Sequence, residues 1–256
     1  MASEGKKPAR RGRIRPWAVA LWLLVWQGAS MAIDQQILLV SPVRVVVRLV
    51  EMALTAELWT SIGFSLLRIG AGFLLAAALG AGLAALSARF SRVEELLAPA
   101  MLAIQSVPVA SFIILALIWF SSRSLSVLIS FLMVLPVLYA NTLGGIRAAD
   151  AQLLEMAQVF RIPAARRVRY VYLPQVLPYF RSACQAALGL CWKAGIAAEV
   201  IGMPDGSIGE RLQQAKVYLN TPDLFAWTLV IVLVSLAFQR VFLWLLDRGA
   251  RALERM

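Results

Sequence analysis

A chain of 256 residues that is 61% hydrophobic, with eight tryptophans and a mean hydropathy of +0.76, falls in the membrane class and sets aside a soluble domain. Its 25 Lys and Arg against 14 Asp and Glu lie between apolar runs instead of along one water-soluble face, so nucleic acid is not an expected partner. Histidine is absent, which weakens any imidazole base or His-rich metal centre; no metal site is expected.

Residues 1–16 form a basic tail holding six Lys and Arg. The run "KKPARRGRIRP", then "WAVALWLLVW", then "GASMA" has the layout of a cleavable signal peptide. Its apolar stretch continues to Ile33, however, and its early tryptophans suit an interfacial anchor, so 17–33 is read as the first transmembrane helix. A bilayer core asks for about 20 apolar residues per helix. Five more such runs follow at 61–87, 98–120, 125–146, 177–197 and 224–246, giving an all-α protein with six spans. Residues 34–60 read as an outer loop, 61–246 as a five-helix core and 247–256 as a second tail.

Along the second span Gly72, Ala76, Gly80, Ala84 and Ala88 place a small residue at every fourth position. Small residues at that spacing let another helix approach closely in lipid. Packing inside one chain is the first reading, and contact with a second copy the other. Cys184 and Cys191 lie on one face of the fifth span, where they cannot bridge each other; they read as small core residues.

Orientation follows from the loops, because Lys and Arg are retained in the cytoplasm. With the N-terminus inside, cytoplasmic segments hold 16 and outer segments 5. An even number of crossings then puts both termini in the cytoplasm. Four cations fall in the spans themselves, at Arg68, Arg181, Lys193 and Arg240.

Charge at membrane depth marks function by default. Arg68 is expected about two turns into the second span and Lys193 about one turn from the outer end of the fifth. With Glu199 they form the candidate solute path. Glu199 lies too far round from Lys193 to share its helical face, and either begins the outer loop or meets Lys193 through a bent helix end. The alternative for Arg68 is snorkelling or bonding to nearby carbonyls. In the outer loop 198–223, Pro204, Asp205 and Gly206 signal a turn, and Ser207 is expected to cap a helix with Glu210 as its box partner.

Between the fourth and fifth spans lies the cytoplasmic segment "DAQLLEMAQVFRIPAARRVRYVYLP", residues 150–174. Asp150 is positioned to cap a short helix whose apolar residues Leu153, Leu154, Ala157 and Phe160 repeat at helical spacing. Pro163 suits the first turn of a second short helix, with Arg166, Arg167 and Arg169 on its solvated side. Such a pair lies on an anionic bilayer or docks a soluble partner.

The succession Glu155, Met156, Ala157, then Arg161, then Leu173-Pro174 resembles the EAA loop of permease subunits in ABC importers. The resemblance extends to "ELWTSIGFSLLRIGAGF" (57–73), "QSVPVASFIILALIWF" (105–120), "GLCWKAGIAAEVIG" (189–202) and "SIGERLQQAK" (207–216). It covers the chain from about residue 38 and looks most like the nitrate, sulfonate and taurine branch. It implies a homodimer with two cytoplasmic ATPase subunits and an extracytoplasmic solute-binding protein, in a bacterial inner membrane. The implied coupling loop comprises Leu154, Glu155, Met156, Ala157, Phe160, Arg161, Ile162 and Pro174, and transport would proceed by alternating access. Met156 stands where the family has Ala. Arg161 stands where it has a Gly that ends the helix in a left-handed conformation, at a cost of about 1 kcal/mol for any side chain.

No G-x-x-x-x-G-K-[ST] motif is present; Gly5-Lys6 lies in a polar tail. No cofactor is therefore expected on this chain, ATP and Mg belonging to the partner ATPase. An intramembrane enzyme would need acids or a nucleophile at membrane depth, and a channel a ring of acids or a carbonyl-rich filter. Sulfonates, taurine and nitrate are the expected solutes, with bicarbonate and vitamin-precursor heterocycles as the alternative.

Overall fold

The computed structural model describes residues 16–33, 35 and 37–254; most of the basic tail and the last two residues lie outside the described part. The helices in chain order are α1 (Pro16–Ile33), α2 (Pro42–Ala53), α3 (Ala56–Arg89), α4 (Ser91–Ser106), α5 (Val109–Trp119), α6 (Ser122–Arg147) and α7 (Ala151–Val159). They continue with α8 (Ala164–Arg167), a π-helical turn (Val168–Tyr172), α9 (Leu173–Gly202), α10 (Ile208–Val217) and α11 (Thr221–Glu254). Among the described residues there is no strand.

Helices α3, α6 and α9 form the centre. Their apolar faces carry Ile69, Phe73, Ile129, Leu138, Leu188 and Trp192, all fully or almost fully buried. Small residues set how closely they cross. A Cβ on Gly72 would sit 2.5 Å from the Val127 carbonyl oxygen and 2.8 Å from Ser130 Cβ. One on Gly195 would meet Ser130 Oγ at 2.6 Å and Ile69 Cγ1 at 2.7 Å. The three backbones thus meet around Ser130, whose hydroxyl donates to the Cys191 carbonyl at 3.4 Å. Gly72, Ala76, Gly80 and Ala84 are all buried, with Gly72 and Gly80 directly against α6. The stripe therefore packs within the chain, and only Ala88 emerges from it. Both cysteines are buried and free.

Helix α11 packs on this centre through aromatic rings, with Phe73 and Phe242 edge to face at 4.8 Å and Trp192 and Phe238 at 6.0 Å. Helix α1 has no buried residue and presents Trp17 and Trp22 outward. That is the pattern of a helix solvated by lipid, where apolar side chains need no protein cover.

Two sequence expectations are corrected. The supposed outer loop 34–60 contains α2, capped by Ser41 with Pro42 at its first turn, and also the start of α3. Amphipathic α2 lies against α11 instead of crossing, held by the ion pair of Arg48 with Asp223. The third span is not one straight helix, because α4 and α5 meet at 107° across Val107-Pro108. Pro disfavours the helical region for the residue before it, and Val107 is extended at φ −83°, ψ 131°. The described residues therefore contain five helices long and apolar enough to cross a membrane, or six if the bent pair counts as one.

Candidate functional site

Glu199 is inside α9 and fully buried, so it neither begins the loop nor pairs with Lys193. Its Oε2 accepts from Ser65 Oγ at 2.7 Å and from the Gly209 N–H at 3.2 Å. Ser65 Oγ in turn accepts the Ile208 N–H at 3.0 Å, and Ser207 Oγ accepts the Glu210 N–H at 3.0 Å. The first N–H groups of a helix have no partner within it, and here those of α10 are taken up by α3, α9 and the cap. A carboxylate at this end also meets the positive pole of the helix. Glu210 reaches back to the Gly206 N–H at 2.5 Å, completing a box one residue wider than the usual form. Asp205 and Gly206 form the turn before it, with Gly206 at φ 79°.

Arg68 is in the electrostatic field of Glu199, and its guanidinium lies 3.5 Å from the centroid of the Phe64 ring. Its Nη1 is buried with no hydrogen-bond partner among the described residues, as is Glu199 Oε1. A cleft of about 210 Å³ lies between α2, α3, α10 and α11. Its charges are matched: Arg48 with Asp223 and Glu51, and Arg211 with Glu57 at 2.7 Å. Hydrogen bonding to Asp223, then to Glu51, holds the Arg48 guanidinium above its ordinary range.

Lys193 is elsewhere. It is exposed on the opposite flank of α9, with no ion pair among the described residues. Because α9 runs on to Gly202, Lys193 sits about two and a half turns inside its C-terminal end, farther from the helix end than expected. The same exposed face carries Ser182, Ala186 and Gly189 at helical spacing, a stripe of small residues. Leu190 borders a cavity of about 640 Å³ between the α4–α5 bend and α6, whose polar lining is Gln105, Ser106 and Asn141. Broken helices at membrane depth are tolerated where they line such a space.

Between α6 and α8, Asp150 Oδ1 accepts the Gln152 N–H at 2.8 Å and starts α7. Arg161 adopts φ 50°, the left-handed conformation. Its N–H donates to the Gln158 carbonyl at 3.0 Å, and that of Ile162 to Ala157 at 2.9 Å. This is a complete Schellman cap built without glycine. Ala157 is fully buried and faces the chain, Leu154 and Ile162 are half-buried, and Glu155, Met156, Phe160, Arg161 and Pro174 are exposed. Val159, 78% exposed beside Phe160 at 73%, extends the apolar tip and was not singled out in the sequence. The expected second short helix is not separate: Pro163 caps α8, which passes through the π turn into α9 as one rod of 39 residues, 164–202.

Of the three residues expected in one path, the structure brings Arg68 and Glu199 together and leaves Lys193 apart. Sequence reasoning missed Ser65 and Gly209, the partners that hold Glu199. The serine at 65 lies on the same α3 face as Ile69 and Phe73, a spacing that signals burial but not its partner.

Residues 76–255 match the family described as binding-protein-dependent transport system inner membrane component. Over 98% of this chain and 89% of the relative, it is 29% identical to the "Putative aliphatic sulfonates transport permease protein SsuC" of Bacillus subtilis (strain 168). The protein of the same name from Escherichia coli (strain K12) is 30% identical over 95% of this chain and 90% of its own. The taurine transport system permease protein TauC of Escherichia coli (strain K12) is 26% identical over 90% and 82%. A crystal structure of an amino acid ABC transporter with histidines shares the fold, with a TM-score of 0.51 at 18% identity, covering 75% of this chain and 90% of that one.

Proposed function

Given that the chain belongs to the family of inner membrane components of binding-protein-dependent transport systems, and so is the membrane permease of an ABC importer and not an enzyme, we propose that it passes a small anionic solute, an aliphatic sulfonate or a close analogue, along the uncovered face of α9. The observation that supports this is the exposed stripe Ser182, Gly189 and Lys193. A lipid-facing helix surface is apolar, and an ammonium facing hydrocarbon is expensive. The stripe is therefore covered by something polar, and a second copy enclosing an aqueous path satisfies it. Lys193 supplies a positive charge to a permeant anion, in keeping with relatives named for aliphatic sulfonates and taurine.

In this reading two copies surround the path, and both termini lie in the cytoplasm. The tip formed by Met156, Val159, Phe160 and Arg161 docks on an ATPase subunit. The binding protein meets the outer side near α10. Closure of the ATPases moves the docked loops, and the path opens alternately to each side.

The test is uptake of a labelled aliphatic sulfonate by the complete importer carrying Lys193→Met. Loss of one charge-assisted contact lowers uptake by about tenfold or more, with unchanged recovery of the ATPase subunit. Native uptake with Lys193→Met removes α9 from the path.

A further inference from the structure

The cytoplasmic loop leaves α6 after Arg147 and joins α9 at Leu173, and one side chain closes its neck. The Gln175 amide oxygen accepts the Asp150 backbone N–H at 2.7 Å. Its amide nitrogen donates to the Val171 carbonyl at 3.0 Å. Asp150 is the cap of α7, and Val171 lies in the π turn that joins α8 to α9. Both ends of a half-buried glutamine are thus used, one on each side of the loop.

The surroundings make this link informative. Helix α7 rests on the rest of the chain through little apolar burial: Ala157 is its one buried residue, while Met156, Val159 and Phe160 face outward. Its far end is joined to α8 through the left-handed Arg161 and Pro163. The π turn opposite it is a form common at functional hinges. Pro174 and Pro178, which lack N–H groups, remove donors from the first turns of α9. A push on α7 therefore meets a soft connection at one end and the Gln175 clasp at the other. A force applied at the tip reaches α9 only as well as the neck is held.

We propose that Gln175 is a positioning residue for energy coupling: it fixes the docking helix to the base of α9, so that movement of the partner ATPase is delivered to the membrane path instead of being absorbed in the loop. This rests on the proposed function for its consequence, but the mechanical claim does not. Gln175 touches neither solute nor nucleotide in this scheme.

The first experiment is hydrogen exchange on the solubilised full-length permease without partners, comparing native, Gln175→Leu and Gln175→Glu. Leu removes both bonds at similar size, whereas Glu keeps the acceptor for Asp150. The expectation for Gln175→Leu is about tenfold faster exchange over 151–159, the factor two neutral hydrogen bonds represent, with 183–199 unchanged and Gln175→Glu close to native. Unchanged exchange over 151–159 overturns the proposal whether or not the complex assembles. The second is uptake per ATP hydrolysed by the complete importer. Gln175→Leu lowers that ratio about fivefold or more at equal complex yield, and Gln175→Glu restores most of it; an unaltered ratio also overturns the proposal. If the native complex itself shows no ATP-dependent uptake, the importer reading fails while the exchange result still decides the clasp.

Discussion

The joint between α10 and α9 is the most exacting contact in the chain, and Gly209→Ala probes it. A Cβ at 209 would lie 2.3 Å from Glu199 Cβ and 2.7 Å from both Glu199 C and Val200 N. Non-bonded carbon atoms settle at about 3.5–4.0 Å, and two of these three neighbours are backbone, which cannot rotate away. Helix α10 must therefore withdraw by about 1 Å, taking the Gly209 and Ile208 N–H groups from Glu199 Oε2 and Ser65 Oγ, now at 3.2 and 3.0 Å. Overpacking costs about 1–3 kcal/mol, and each buried donor left unpaired about 1–3 kcal/mol. Together these come to about 6 kcal/mol, or about 18 °C in the unfolding midpoint of a domain of this size. Tryptophan fluorescence of the solubilised protein on heating, with limited proteolysis across 203–207, measures it. The control is Gly82→Ala, which meets no atom within 4 Å and is expected to stabilise α3 by about 0.5–1 kcal/mol. A Gly209→Ala midpoint within about 2 °C of native, with the loop equally resistant, would refute the reasoning.

Arg161→Gly relieves a left-handed side chain and is expected to add about 1 kcal/mol to the stability of the end of α7, read as slower amide exchange at 160–162. Arg161→Glu keeps that strain and reverses the charge at the tip. It is expected to lower solute-stimulated ATP hydrolysis by the partner, and unchanged hydrolysis would remove Arg161 from the docking surface. Gly72→Ala places a methyl 2.5 Å from the Val127 carbonyl oxygen; a fall of about 1–3 kcal/mol is expected, whereas Gly63→Ala, with no atom within 4 Å, should leave the thermal midpoint unchanged or higher.

The helical class, most of the long apolar helices and the Asp150 cap of α7 were legible in the sequence. Apolar run length and capping chemistry are local properties, set by the composition of a short segment and by a few adjacent residues. The small-residue stripe was legible as a close-packing surface, and its spacing left open which helix would use it. The bend at Val107-Pro108 had its signal in the proline, which a window of about 20 apolar residues averages away.

Tertiary structure decided what depends on partners far apart in the chain. Whether Glu199 is a path residue or an anchor turns on Ser65 and Gly209, brought to it from α3 and α10. The polarity of the α9 stripe can be read from residue types, but its exposure cannot, because that depends on which faces α3, α6 and α11 cover. The same holds for Gln175, an ordinary residue near a helix start until folding brings the Asp150 N–H within 2.7 Å of its amide oxygen. Local sequence settles which segments become helices, since those free energies add residue by residue. Contacts between helices are decided jointly by all of them, and only the assembled fold specifies them.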